Sequence, residues 1–150
     1  GLSDSWRVDC FMVAEHLLWL QHHYWQSRYS ISFPRLRPCA GGIEPASLMD
    51  EKQLVQVICA FRLFSPDIEL SLSTRESPWF RDNVIPLAIN NVSAFSKTQP
   101  GGYADDHPEL EQFSPHDARR PEAVADALRE RGLQPVWKDW DGWLGRASQP

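Results

Sequence analysis

The sequence predicts an α/β fold built on a parallel sheet, and three observations carry that prediction. Segments with helical and strand-like periodicity follow one another in the order helix, strand, helix, strand, helix, strand. Each strand is short and ends at turn-forming residues. Helices, not tight turns, stand between the strands, as crossovers between parallel neighbours require.

Asp4 is a candidate cap for a first helix, whose apolar positions Trp6, Cys10, Val13, Leu17, Leu20 and Tyr24 step by four and three. Tyr29-Ser30-Ile31-Ser32-Phe33 alternates with period two up to Pro34, as a strand does. Loop signals run from Pro38 through Gly41-Gly42 to Pro45. A second helix follows, with Ser47 or Asp50 as caps, Leu54, Ile58, Phe61 and Phe64 on one face, and Ser65-Pro66 as its stop. Ile68 to Ser73 alternates as a second strand. Ser77-Pro78 opens a third helix, limited or kinked by Pro86, and Asn91 to Phe95 is the third strand. Beyond it the chain turns loop-rich, with one helix from Pro121 to Gly132. We therefore divide the sequence into a βα unit over residues 1–103 and an extension over 104–150.

The strands are more polar than buried parallel strands usually are. If Ile31, Phe33, Leu70 and Leu72 face the helices, Ser30, Ser32, Ser71 and Ser73 share the opposite face. A barrel around a polar ligand explains this, and so does an antiparallel sheet with one face in water; the intervening helices favour the parallel arrangement. A complete eight-fold βα barrel typically takes about 250 residues, and the first helix has no strand before it. The expectation is part of a barrel, with the sequence opening inside a repeat.

Composition narrows the function. A formal charge of -5 and no basic run argue against nucleic acid or an anionic membrane as partner. No apolar stretch approaches the ~20 residues of a spanning helix, and the start resembles no signal peptide, so the cytoplasm is expected. Cys10, Cys39 and Cys59 fit neither a disulfide framework nor a paired-cysteine metal motif. His16, His22 and His23 form no metal-ligand pattern, and Gly41-Gly42 lacks the strand-to-helix context of a phosphate loop. Trp137, Trp140 and Trp143 recur every third residue, as a docking surface or as a clamp of the tail onto the domain.

In parallel α/β folds ligands gather beyond the carboxyl ends of the strands. Those places hold Pro34-Arg35-Leu36-Arg37, Ser73-Thr74-Arg75-Glu76 and Ser96-Lys97-Thr98-Gln99, each with a cation beside hydrogen-bond donors. Arginine's planar fork suits a carboxylate. Arg75 is the foremost candidate because it shares the parity of Ser71 and Ser73. The alternative is that these arginines pair with local acids such as Glu76 or cover the rim.

The strings Ser32-Phe33-Pro34-Arg35-Leu36-Arg37-Pro38, Leu70-Ser71-Leu72-Ser73-Thr74-Arg75-Glu76, Asn91 through Tyr103, and Pro135-Val136-Trp137-Lys138-Asp139-Trp140 resemble the C-terminal portion of the 2-iminoacetate synthases. These are the radical S-adenosylmethionine tyrosine lyases of thiamine thiazole synthesis. The resemblance implies the C-terminal part, about strands six to eight, of a βα (TIM-type) barrel with a loop-rich helical extension. It also implies cleavage of L-tyrosine to 2-iminoacetate and p-cresol by a 5'-deoxyadenosyl radical, and a complex with thiazole synthase. The family's 4Fe-4S cluster sits on a Cys-x3-Cys-x2-Cys motif that these residues do not contain. Neither metal nor cofactor is thus expected on this chain, which alone would be inactive. Carried over by position, Arg75 would bind the tyrosine carboxylate with Ser73 or Thr74 assisting and Arg35 nearby, while the backbone at Leu36 and Arg37 would touch S-adenosylmethionine. The related maturase that makes iron ligands from tyrosine has cysteines in its tail for a second cluster; residues 113–150 contain none. The alternative is a non-catalytic module docking thiazole synthase.

A partial barrel leaves open sheet edges, which template pairing with another copy. The isolated chain should therefore self-associate, giving a light-scattering mass above that of one chain; a clean monomer counts against it.

Overall fold

The computed structural model describes residues 3–36, 44–104 and 115–137. The elements, in chain order, are α1 (Trp6–His23), β1 (Ser30–Ser32), α2 (Glu51–Phe64), β2 (Glu69–Leu72), α3 (Pro78–Ala88), β3 (Asn91–Val92) and α4 (Pro121–Glu130). The three strands form one sheet in the order β1-β2-β3, parallel at both joints. The connection argument for a parallel sheet therefore holds.

Local chemistry explains most element boundaries. α2 begins with a capping box: Asp50 accepts from the Gln53 backbone at 2.7 Å, and the Gln53 side chain accepts from the Asp50 backbone at 3.0 Å. Ser77 caps α3 by accepting from Phe80 N at 3.2 Å, with Pro78 in the first turn where its missing N–H costs nothing. The helix runs through Pro86 to Ala88. α4 ends in a Schellman motif. Gly132, at φ +74°, sends its N–H to Arg129 O, and Leu133 sends its own to Leu128 O.

Several boundaries differ from expectation: β1 and β2 are each one residue shorter at both ends than the alternation suggested. The N-cap of α1 is Ser5, not Asp4, and no side chain caps it. β3 stops at Val92 instead of Phe95. Ser93 N still reaches Leu72 O, but β2 ends there, and Phe95 at φ 53° breaks the extended run.

The core lies on the helical side of the sheet. Leu54, Val57, Ile58 and Phe61 of α2, Leu70 and Leu72 of β2, and Phe80, Val84 and Ile85 of α3 are buried together, joined by Trp6 and Leu17 of α1. The expected stripe of α1 is only half realised: Val13 and Tyr24 are exposed. The opposite face is polar. Ser30 pairs with Glu69, Ser32 with Ser71 and Ser71 with Asn91 in register, and the Ser30 and Ser71 hydroxyls are 3.0 Å apart. Asn91 donates to Glu69 at 3.0 Å on the same face.

At the amino ends of the strands, Arg62 of α2 works as a staple. Its guanidinium donates to the carbonyls of Pro66, Ile68 and Ala88 and to the Asn90 side chain. Asn90 in turn accepts from Leu70 N at 3.1 Å and donates through its backbone to Leu70 O.

Asp50→Ala should destabilise the chain by about 1 kcal/mol, the usual worth of an N-cap. Leu70→Ala, a cut into a fully buried strand position, should cost about 2–5 kcal/mol. Urea unfolding followed by Trp fluorescence checks both.

Candidate functional site

The loops at the carboxyl ends of the strands come together through a connected set of ion pairs and backbone hydrogen bonds. After β1, Arg35 extends its fork onto Glu76, which follows β2. Nε donates to Oε1 at 3.0 Å, Nη2 donates to Oε2, and Nη1 takes Met49 O at 3.0 Å. Glu76 is only 2% exposed, so its charge needs this partner. The hydrogen bonds from Arg35 to Glu76 raise the Arg35 pKa, with burial opposing. Of the two uses open to Arg35, the local ion pair is the one this structure shows.

Arg75 sits in the turn after β2. Its N–H points to Ser73 Oγ at 3.3 Å, and Nη1 lies 3.4 Å from Arg35 O. The strand ends at Leu72, yet the alternation of burial runs on through the turn, with Ser71, Ser73 and Arg75 half-buried and Leu70, Leu72 and Thr74 buried; the Arg75 side chain reaches the segment after β1. Thr74 stands in the same turn. At 1% exposure it does not face the rim, and its carbonyl accepts from His116 N at 2.8 Å and Asp117 N at 3.0 Å. Ser73 is half-buried at the strand end. Leu36 is half-buried and, with Cys10, Val13 and Arg35, lines a cleft of about 310 Å³ between α1 and residues 45–49. Arg37, Cys39, Gly41, Gly42, Trp140 and Trp143 lie outside the described residues. Lys97, after β3, holds its ammonium 5.5 Å from the centre of the Phe95 ring. Among the described residues no three of His, Cys, Asp and Glu stand close enough to hold a metal ion. They do not fit a cluster.

Sequence reasoning missed the centre of this arrangement. Arg81 of α3 and Asp117 are both 0% exposed and form an ion pair. Arg81 Nη2 also donates to Ser93 O beyond β3, while its Nε has no partner among the described atoms. Arg119 donates to Asp117 through its backbone and through Nε at 2.9 Å, and grips both oxygens of Asp82 at 3.0 and 2.8 Å. Burial works to raise the Asp117 pKa, but hydrogen bonds from Arg119 and the charges of Arg81 and Arg119 outweigh it and hold the carboxyl below its ordinary value. Burial pulls the Arg81 pKa down against the pull of Asp117. Arg119 is raised by its bonds to Asp117 and Asp82. The available signal was slight: an arginine three and four residues before Val84 and Ile85, on the same helix face as those apolar residues.

Because the folded-state pKa of Asp117 is depressed, the stabilisation it brings is complete above the unfolded value of about 3.9. It is lost as pH falls through the lower folded value. Asp117→Ala should cost about 3–5 kcal/mol near neutral pH by leaving Arg81 buried alone. The variant's unfolding free energy should also fall less steeply than the wild type's as pH is lowered below about 4; urea titrations in that acid range measure it.

With this geometry in place, the comparisons with known proteins are informative. The chain is 87% identical to 2-iminoacetate synthase of Salmonella typhimurium and 86% identical to that of Escherichia coli, each over 99% of its own length. It spans only 40% of the length of these relatives, and so corresponds to a part of them. A crystal structure of HydG, a maturase of the FeFe-hydrogenase, matches with TM-score 0.75 and 33% identity over 87% of this chain and 29% of that one. HydG from Carboxydothermus hydrogenoformans shares the fold at TM-score 0.76, with 23% identity over 87% of this chain and 30% of its own. The model of the Biotin and Thiamin Synthesis associated domain matches residues 32–134, and the chain belongs to that domain family.

Proposed function

We propose that this chain is the C-terminal part of a 2-iminoacetate synthase, contributing one wall of a TIM-type barrel to the cleavage of L-tyrosine into 2-iminoacetate and p-cresol. The observation that carries this reading is the 87% identity to 2-iminoacetate synthase along 99% of the chain. The parallel βα order and the hydroxyl-lined sheet face support it, because a barrel wall around a polar amino acid needs both. When bound, S-adenosylmethionine and a 4Fe-4S cluster supply the radical that starts the reaction, and the described residues do not supply the cluster's ligands.

The contribution of the described residues is binding and orientation. Arg35 and Glu76 cancel each other's charge and brace the loop after β2. Arg75 takes the role of carboxylate anchor at the strand ends, its fork holding the two oxygens while Ser73 assists. Holding the amino acid by its carboxylate fixes the Cα–Cβ bond that breaks, and such fixing is a large part of what a protein adds to a bound radical source. Arg35 and Thr74 support this anchor, and Leu36 lies on the side assigned to S-adenosylmethionine. Thiazole synthase, as the acceptor of an unstable imine, is the protein partner in this reading.

The test uses the full-length Escherichia coli relative, cluster-reconstituted, with Arg75→Ala made at the matching position. p-Cresol release should fall about a hundredfold or more with iron and sulfide content unchanged. Undiminished release would remove Arg75 from the site, and a wild-type enzyme that releases no p-cresol from tyrosine would overturn the whole reading.

A further inference from the structure

The peptide unit that carries Arg75 is held at both ends. Thr74 C=O and Arg75 N–H belong to one planar group, so fixing both leaves that plane no freedom to rotate. The N–H meets Ser73 Oγ at 3.3 Å. The carbonyl takes two donors, His116 N at 2.8 Å and Asp117 N at 3.0 Å, from a segment some forty residues further along the chain. That segment is itself anchored by the Asp117 side chain on Arg81, and the same guanidinium holds Ser93 O at the end of β3. The bonds thus run from β3 through Arg81 and Asp117 to the backbone of residue 74, one bond from Arg75.

We propose that the Arg81–Asp117 pair is a positioning device for Arg75, with residues 116 and 117 forming a backstop behind the end of β2 that aims the guanidinium at a substrate carboxylate. This rests on the reading of Arg75 as the carboxylate anchor. Burying two full charges to attach a loop is a poor way to gain stability, since well-packed apolar residues commonly do as well or better. What an ion pair adds is a fixed geometry, and a binding group must be held to within about half an ångström to be effective. Arg119 gives the pair its second support by bridging Asp117 and Asp82. The Arg81 half of the pair sits on α3, whose Phe80, Val84 and Ile85 belong to the buried core, so the reference point for Arg75 is a helix instead of a loop.

The experiment uses the full-length, cluster-reconstituted Escherichia coli relative and two probes, L-tyrosine and tyramine, which has the same phenol and amine but no carboxylate. Asp117→Asn and Arg81→Lys should each weaken tyrosine binding about tenfold and leave tyramine binding unchanged. In an Arg75→Ala background the same changes should produce no further loss, because the device acts only through Arg75. Equal weakening of both probes, or an additive loss in the Arg75→Ala background, would make the pair purely structural and overturn the proposal. Should both variants fail to fold, hydrogen exchange of the wild-type enzyme decides: tyrosine, and not tyramine, should slow exchange at the amides of residues 116 and 117, and equal effects overturn it. If Arg75→Ala leaves tyrosine affinity unchanged, the carboxylate reading fails and takes this proposal with it; if Arg75→Ala weakens binding and the Asp117 and Arg81 variants do not, positioning alone fails.

Discussion

The buried pair of Arg81 and Asp117 is the constraint on which the carboxyl-end rim depends. Neither charge is exposed, so each needs a partner, and Asp117 has a second one in Arg119. Through Ser93 O on one side and Thr74 O on the other, the pair joins the ends of β3 and β2. The Arg35–Glu76 pair extends the connection to the segment after β1. A three-stranded sheet with strands of two to four residues has few ladder bonds of its own. Side-chain bonds to backbone carbonyls make up for that scarcity at both ends, with Arg62 at the amino ends.

This arrangement changes what the cationic rim means. Three strand-end segments each carry a cation, but the cations differ in use. Arg35 is neutralised by a buried glutamate, and Lys97 is paired in space with the Phe95 ring. Arg75 stands on a turn whose backbone is fixed from several directions, while its side chain reaches the end of β1. Rigid support beneath a positively charged side chain is the arrangement that binding a small anionic group calls for. The polar face of the sheet lies alongside, with Ser30 and Ser71 in hydroxyl contact and Glu69 bonded to Asn91.

Much of the fold was legible because its signals are local. Asp50 with Gln53, Ser77 with Pro78, and Gly132 after α4 act within a few residues, and the structure places helix ends at each. The serine alternation also held, since strand parity is a property of the backbone alone. The alternation of burial even outlasts the strand, with Ser73 and Arg75 half-buried and Thr74 and Glu76 buried. Thr74, given an assisting role only by the resemblance, has the parity of Leu70 and Leu72 and is buried with them, its carbonyl bonded to residues 116 and 117.

By itself the sequence determined the order of elements, the parallel sheet, the side of the sheet that is polar and the relatives the chain resembles, because periodicity, capping and long shared strings are written in neighbouring residues. Only the tertiary structure decided which arginines are braces. Arg35, Arg62, Arg81 and Arg119 meet partners 41, 26, 36 and 37 residues away in the chain. Spacing along a sequence says nothing about charges that distant: an arginine's role is set by which carboxylates and carbonyls the fold brings within reach once water is excluded.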